Sequence, residues 1–340
     1  MAPETNSQDF ALLSVQSVGE YLVRRGIFDT KRAVEAQELG GGVSNVVLVA
    51  RQGEVRVVVK QALERLRVPD EWLALRERTI TEGEALRLAT RITPGSVPEV
   101  LDLDRDVCAL TISAAPVDWS NWKERLLSGR TDSSVAERLG KLLGTWHFET
   151  YKKREVARAF ASSQSFDELR IDPYYKTVAR RRPELNAAIE EFIQRMQATR
   201  LCLVHGDYSP KNILVGSGLW VIDFEVAHYG DPAFDVAFML SHLLLKRLHI
   251  PQKASELELC AKAFWGAYEG VTPRLCPSAE YVLGHVGCLM VARVDGKSPV
   301  EYLTEAERET ARRIGSNLLL DPPSNVEEAL ALSDPYRDRR

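Results

Sequence analysis

The segment HGDYSPKN, His205 to Asn212, places a carboxylate, Asp207, five residues ahead of an amide, Asn212, between the apolar runs CLV and ILV. Sixteen residues after Asp207 a second carboxylate, Asp223, follows the apolar stretch LWVI. Polar groups set between strand-like runs are held at the rim of a folded core by rigid elements on both sides, where chemistry is usually placed. The five-residue spacing is that of a loop in which the aspartate takes the proton of a substrate hydroxyl and the asparagine binds a metal ion. A carboxylate at the end of the next strand suits Mg2+, a hard ion that takes oxygen ligands and bridges phosphate groups. Either aspartate alone reads as a cap or turn residue; the joint spacing points to phosphoryl transfer.

Two upstream features fit the same chemistry. GGGVSNVVLV, Gly40 to Val49, is a glycine cluster at the start of a strand, where backbone without side chains can approach phosphate oxygens. Gly41, Gly42, Ser44 and Asn45 are its candidate phosphate-facing residues, although a plain tight turn explains three glycines as well. Lys60 ends the run VRVVVK, so its stem lies along a strand and its ammonium emerges at the sheet face. A lysine there pairs the α- and β-phosphates of a nucleotide if a carboxylate orients it. Glu82 and Glu84 on the next helix both qualify, Glu82 being preferred; a snorkelling surface lysine is the alternative.

The elements that would position these groups follow from the hydrophobic period. Residues 15 to 37 read as a helix, a break at RGIFDT and more helix, with Val15, Val18, Leu22 and Val23 at helical spacing. VSNVVLVARQGEVRVVVKQA reads as a hairpin, RERTITEGEALRLAT as a helix, and SVPEVLDLDRDVCALTISAA as two strands. This is an antiparallel sheet with one inserted helix, an α+β pattern. After Pro116 the 3.6 period dominates, in SSVAERLGKLLGTWHFETYKK, PELNAAIEEFIQRMQ, DVAFMLSHLLLKRL and ELELCAKAFWGAYEG, with strands expected only around Leu201 to Ile222. The expected organisation is a nucleotide-binding sheet lobe, 1–116, and a helical catalytic and acceptor-binding lobe, 117–340, with ligands in a cleft between them. The tail from Asp321 onward reads as loosely held.

Composition bounds the partners. A chain of 340 residues and 38.1 kDa exceeds one ordinary core, and 45% hydrophobic with 27% charged residues is a globular balance. A net charge of -4 gives no basic surplus for nucleic acid or anionic lipid. Five scattered cysteines without a C-x-x-C pair read as buried free thiols in a reducing compartment. The N-terminus has no basic region before an apolar stretch, and the longest uncharged runs, Leu39 to Ala50 and Tyr281 to Ala292, are twelve residues, short of the ~20 that cross a bilayer. The expected location is cytoplasmic, with no membrane or nucleic-acid partner.

LVHGDYSPKNILV and VIDFEVAHYGDPAFDVA resemble the aminoglycoside phosphotransferase and choline kinase family, small-molecule kinases with a bilobal protein-kinase-like fold, over roughly residues 35 to 300. The resemblance implies Asp207 as catalytic base, Asn212 and Asp223 as metal ligands, and Lys60 on the nucleotide phosphates. It makes Leu110 to Ala114 the hinge that meets adenine, with Thr111 and Ser113 on the nucleotide side, and His205 and Asp235 braces of the catalytic loop. It also implies ATP and Mg2+ as cofactors, with GTP left open, a small-molecule acceptor, and a monomer or homodimer. VVVKQALERLRV looks most like the methylthioribose kinases, which carry a similar KQAL phrase. LMVARVDGKSPVEYL is a second echo, although Ala292 precedes Arg293 where those kinases pair two arginines. Asn212 and VIDFE depart from their usual pattern.

Three readings result: a kinase acting on a hydroxyl of a sugar, amino alcohol or antibiotic; a methylthioribose kinase proper; and a catalytically dead nucleotide-binding module. Retention of Lys60, Asp207, Asn212 and Asp223 argues against the last. A protein substrate lacks an activation segment to grip it, because the helical run DVAFMLSHLLL starts twelve residues after Asp223. For the acceptor, Glu225 with Glu256, Glu258 and Glu269 offers acid to a polycation, whereas ARRRPEL, Ala179 to Leu185, offers base to an anion. Arg293 is either an acceptor contact or a structural partner of Asp295 or Glu301.

Overall fold

The structure, a computed structural model, describes residues 12–40, 44–67 and 72–333. The chain divides into two compact units, one of Met1–Arg87 with Pro98–Ala115 and one of Leu88–Val97 with Pro116–Arg340, so residues 88–97, expected with the first lobe, group with the second.

The first unit holds a five-stranded antiparallel sheet of β1 (Glu35–Glu38), β2 (Asn45–Gln52), β3 (Val55–Ala62), β4 (Val100–Asp104) and β5 (Ala109–Ser113) in the order β1-β2-β3-β5-β4. Helix α1 (Val18–Arg24) buries Val18 and Leu22 with Leu48, Val57 and Val59, and Arg25 grips the Asp102 carboxylate of β4 with two hydrogen bonds of 2.7 and 2.8 Å. The second helical segment expected before residue 37 does not form. Residues 35–38 pair with β2 in the register Glu35↔Arg51 to Glu38↔Leu48, because an unpaired sheet edge outweighs the modest helix propensity of AVEAQE. Helix α2 starts at Arg78 and ends at Ile92. It lies against the sheet at Gly83, where a Cβ would stand 2.8 Å from a Leu103 methyl carbon. Buried Arg78 donates to the carbonyls of Ser44, Leu63, Ala74 and Leu75, fastening the start of β2 and the exit of β3 to the first turn of α2.

The second unit is mostly helical: α3 (Trp122–Leu127), α4 (Ser133–Thr150), α5 (Arg154–Ala159), α6 (Gln164–Phe166), a π-helical stretch Asp167–Lys176, α7 (Thr177–Arg181), α8 (Asn186–Ala198), α9 (Ala233–His249), α10 (Ala254–Val271), α11 (Ala279–Asp295), α12 (Glu305–Leu320) and α13 (Val326–Leu332). The short strands β6 (Ser120–Asn121), β8 (Ile213–Val215) and β9 (Leu219–Val221) form one ladder, and β7 (Cys202–Val204) pairs with β10 (His228–Gly230). Helix α9 is the core element: from Ala233 to Leu248 every residue is buried, including Asp235, His242, Lys246 and Arg247. Arg247 donates to the Leu330 carbonyl and the Ser333 hydroxyl, so the tail expected to be loose is docked through α13 as far as Ser333. All five cysteines are free, with Cys202, Cys260 and Cys288 buried and Cys108 and Cys276 half-buried. Among the described residues no helix is long and apolar enough to cross a membrane.

Candidate active site

In the first unit, β3 carries Lys60 inward, and its Nζ lies 2.7 Å from Glu82 Oε1 on α2. Both side chains are buried, whereas Glu84 faces outward and pairs with Arg87 and Arg105. Of the glycine-cluster residues, Gly41 and Gly42 lie outside the described residues. Asn45 opens β2 opposite Ala62 and donates from Nδ2 to Ser44 Oγ at 3.0 Å. On β5, the Ser113 hydroxyl accepts from the Glu99 backbone at 2.9 Å, and Thr111 is fully buried with no hydrogen-bond partner for its hydroxyl among the described residues.

In the second unit the catalytic-loop sequence is tied down residue by residue. The backbone N–H groups of His205 and Gly206 donate to the two oxygens of Asp235 at 2.6 and 2.7 Å, and His147 Nε2 reaches the same carboxylate at 3.3 Å. Burial works to raise Asp235, but His147 and His205 outweigh it and leave the group below its ordinary value. Gly206 has φ +77°, and a Cβ there would stand 2.8 Å from Val226, so conformation and space both require glycine. His205, kept neutral by burial, accepts from the Asp207 N–H at Nδ1 (3.1 Å) and donates from Nε2 to the Ile222 carbonyl (3.2 Å).

That histidine links the two chemical segments. The Ile222 N–H donates to the Asn212 carbonyl at 3.0 Å, extending the Ile213↔Val221 pairing of β8 and β9 by one step. Asn212 and Asp223 are thus brought together at one end of the β8–β9 hairpin. Asn212 donates its amide nitrogen to the Asp207 carbonyl (3.0 Å), which leaves its oxygen as the candidate ligand atom. Asp223 has φ +74°, a left-handed conformation that costs a non-glycine residue on the order of 1 kcal/mol and concentrates at functional sites. Phe224 anchors the turn against Trp146 and His205, with ring centroids 5.4 and 4.2 Å away. Among the described residues no group of three or more His, Cys, Asp or Glu is arranged to hold a metal. Two oxygen donors fit Mg2+, which is usually bound by one or two side chains and completed by water and substrate phosphates.

The charges that surround Asp207 were not read from the motif. Arg170, from the π-helical stretch, and Lys211, from the loop itself, both lie 2.8 Å from Asp207 Oδ2, as ion pairs whose angles fall outside hydrogen-bond geometry. Oδ1 has no hydrogen-bond partner among the described residues. Arg170 is buried and also donates to the Gly206 carbonyl at 2.8 Å; burial would lower its pKa, but Asp207, Tyr174, Glu225 and Asp223 together hold it raised. Glu225 is itself buried. A π-helix containing Pro173 has no periodic signature, so an arginine in DELRIDPYYK reads as surface. The arginines of ARRRPEL are scaffold: Arg180 pairs with Asp172, Arg182 with Glu184 and Asp295, and Arg181 holds the carbonyls that end α11. Arg293 pairs with neither carboxylate expected of it: Asp295 belongs to Arg182 and Arg312, and Glu301 to Lys123.

Comparison with known proteins agrees with this geometry. The model of the phosphotransferase enzyme family (APH) matches residues 35–277. The methylthioribose kinase of Geobacillus sp. (strain WCH70) is 24% identical over 377 residues, covering 94% of each chain. That of Pectobacterium atrosepticum is 27% identical over 268 residues, covering 69% of this chain and 66% of the relative. Among solved structures, an amicoumacin kinase in complex with AMP-PNP, Ca2+ and Ami superposes with TM-score 0.53 at 13% identity, covering 90% of this chain and 95% of the other. A spectinomycin phosphotransferase in complex with ADP and spectinomycin gives 0.50 at 14%, covering 96% and 95%. Since the matched span runs through both the Lys60 strand and the Asp207 loop, the chain belongs to the phosphotransferase enzyme family and is a small-molecule kinase.

Proposed function

We propose that this kinase transfers the γ-phosphoryl group of ATP, with Mg2+, to a hydroxyl of a small polar molecule such as a sugar, an amino alcohol or an antibiotic. The observation that carries the reading is the bridge from the Asp207 N–H through His205 to the Ile222 carbonyl, which locks the base and both metal-ligand candidates into one constellation. In the reaction an acceptor oxygen forms a bond to the γ-phosphorus while the bond to the β,γ-bridging oxygen breaks and ADP leaves. Asp207 Oδ1 receives the acceptor proton late, and Arg170 and Lys211 on Oδ2 fix the carboxylate plane. Asn212 and Asp223 would hold Mg2+, which would neutralise charge on the phosphates. Lys60, aimed by Glu82, belongs on the α- and β-phosphates, with the Ser44–Asn45 backbone beside it and the end of β5 at the purine.

Nucleotide and divalent ion in a relative's complex support the cofactor assignment, with GTP as the competing purine nucleotide. A methylthioribose acceptor is the second reading, favoured by the alignment along 94% of the chain with a methylthioribose kinase. The test is a thermal shift with Mg·ATP and Mg·GTP followed by ADP release against sugars, methylthioribose, amino alcohols and aminoglycosides. A ligand specific for the folded state must raise the melting temperature. Asp207→Asn should keep the nucleotide shift while lowering kcat about 10²- to 10⁴-fold, and Asp223→Ala should lose both. No shift with either nucleotide at millimolar concentration refutes the nucleotide site, and turnover unchanged in both variants refutes the residue assignment.

A further inference from the structure

Beyond Asp207, the second unit concentrates buried positive charge that its own carboxylates do not balance. Arg293, near the end of α11, has its guanidinium carbon 5.8 Å from the centre of the Tyr174 ring, and Arg170 has its own at 5.9 Å from the same ring. One aromatic ring therefore joins the arginine on the catalytic base to a second arginine. Arg293 Nη1 donates to the Ser298 carbonyl and hydroxyl and to the Tyr174 hydroxyl, while its Nε is buried without a partner among the described residues. Lys246 on α9, 1% exposed, has contacts with the His242 carbonyl at 3.5 Å and the Tyr302 ring at 5.3 Å, and no carboxylate within 4.0 Å among the described residues. The Tyr302 hydroxyl is buried and unpartnered as well.

Charge bookkeeping around these side chains leaves a surplus. Lys123 has Glu301, Arg170 and Lys211 share Asp207, and Asp223 acts on both of these cations and Glu225 on Arg170. Glu301 also acts on Lys246 and Arg293, but it is the carboxylate that already pairs with Lys123, so one negative charge stands against three cations. Burial, with Lys123 and Arg293 adding to it, pulls the Lys246 ammonium down to about 7, and His242 is held neutral by the same surroundings. At Tyr174 burial would raise the phenol, yet Arg293, Arg170 and Lys211 overcome it and leave the group lowered, so the field at the ring is positive. A buried ammonium without a counter-ion costs stability and is retained where something else supplies the charge.

We propose that the acceptor is itself an anion, a small hydroxyl compound carrying a phosphate or carboxylate group that Arg293 and Lys246 hold while its hydroxyl meets Asp207. The proposal rests on the kinase reading for the direction of transfer. It sets this chain apart from an enzyme for polycationic antibiotics, which the surplus would repel. Arg293 supplies a planar fork suited to an oxyacid group and Lys246 a point charge behind it.

The first test keeps the nucleotide site filled. With saturating Mg·ADP and constant ionic strength, inorganic phosphate titrated calorimetrically into the full-length protein should bind saturably, and Lys246→Met and Arg293→Gln should each weaken binding at least ~10-fold, equivalent to about 1.4 kcal/mol. No saturable binding, or binding unaffected by both substitutions, overturns the proposal. The second test measures ADP release with matched pairs, ribose and ribose 5-phosphate, glycerol and glycerate, beside an aminoglycoside. Preference for the anionic member, with its KM raised in both variants, supports the assignment and shows which oxyacid is used. Equal or better use of the neutral partner or of the aminoglycoside overturns it. So does a rise in the KM for ATP with the acceptor KM unchanged, which would give the cluster to the nucleotide. If no pair member turns over, the phosphate titration decides. Phosphate binding to the nucleotide-free protein stays measurable if the Mg·ATP shift is absent, so failure of the kinase reading is distinguishable from failure of this one.

Discussion

Lys60 and Lys246 are both buried, at 8% and 1% exposure, and each ends an apolar run, VRVVVK in one and HLLLK in the other. Lys60 has Glu82 2.7 Å from its ammonium, whereas Lys246 has a backbone carbonyl at 3.5 Å and an aromatic ring. The first charge is balanced by the protein and held ready in one geometry; the second has no ion-pair partner among the described residues and feels only Glu301, which Lys123 already holds. A counter-ion from the fold serves orientation, and one withheld leaves binding energy for a ligand.

The contrast makes opposite predictions for stability, and here the largest effects are expected. Glu82→Gln takes the negative partner from a buried ammonium and should destabilise by up to about 3–5 kcal/mol, lowering the melting temperature by several degrees. Lys246→Met replaces an unpaired charge by an apolar side chain of similar length and should raise it, by on the order of 1 kcal/mol or more. Differential scanning calorimetry of the two variants beside wild type measures both. If Lys246→Met is as destabilising as Glu82→Gln, Lys246 is a structural residue and the contrast collapses.

A pH series sharpens the same point with a smaller effect. Lys246 titrates near 7 in the folded chain and near the ordinary 10.5 when unfolded, so between these values the unfolded state holds a proton that the folded state has released. Stability contributed through this group is therefore lowest below pH 7 and rises as the pH climbs towards 10.5. The groups facing it are Lys123 from α3, Arg293 from α11, and Glu301 and Tyr302 from the following loop; Lys123 holds Glu301 lowered, burial raises Tyr302, and His242 stays neutral, so none of these last three changes charge near neutrality. The melting-temperature advantage of Lys246→Met should thus shrink between pH 7 and pH 9.5. A constant advantage would show that the ammonium is not the source of the cost. Anion affinity should fall over the first part of the same range, as Lys246 gives up its proton.

These lysines also mark how far the sequence could be read. The hairpin carrying Lys60, the helix carrying Glu82 and the spacing of Asp207, Asn212 and Asp223 were legible because period, turn residues and motif spacing are local properties. The strand at Glu35 was not, since its segment favours helix and becomes strand only by meeting the edge of β2. Arg170 was hidden by a π-helical stretch that has no pattern to recognise. Lys246 was hidden for a different reason: in an amphipathic helix a lysine after three leucines reads as the solvent face, and only complete burial of α9 reverses that. Local pattern reveals the chemistry of the transfer, while the character of the acceptor depends on which faces are buried together.

The smallest expected effect concerns the Tyr302 hydroxyl. It is buried without a partner among the described residues, while the ring beneath it carries Lys246 on one contact and lies 5.0 Å from the His249 ring on another. Tyr302→Phe removes the hydroxyl and keeps the ring. A buried donor that makes no hydrogen bond is a desolvation cost, so the substitution should leave the melting temperature unchanged or raise it slightly, by no more than about 1 kcal/mol. Were the hydroxyl a scaffold contact, the same change would destabilise by a similar amount. Phosphate affinity supplies the second axis. A hydroxyl that helps Lys246 and Arg293 hold an anion contributes one hydrogen bond, worth roughly 1 kcal/mol, so binding should weaken about 2- to 10-fold. Neutral stability with weakened phosphate binding assigns the hydroxyl to the ligand. Lost stability with unchanged binding returns Tyr302 to the packing of the C-terminal helices and leaves the anion to Arg293 and Lys246.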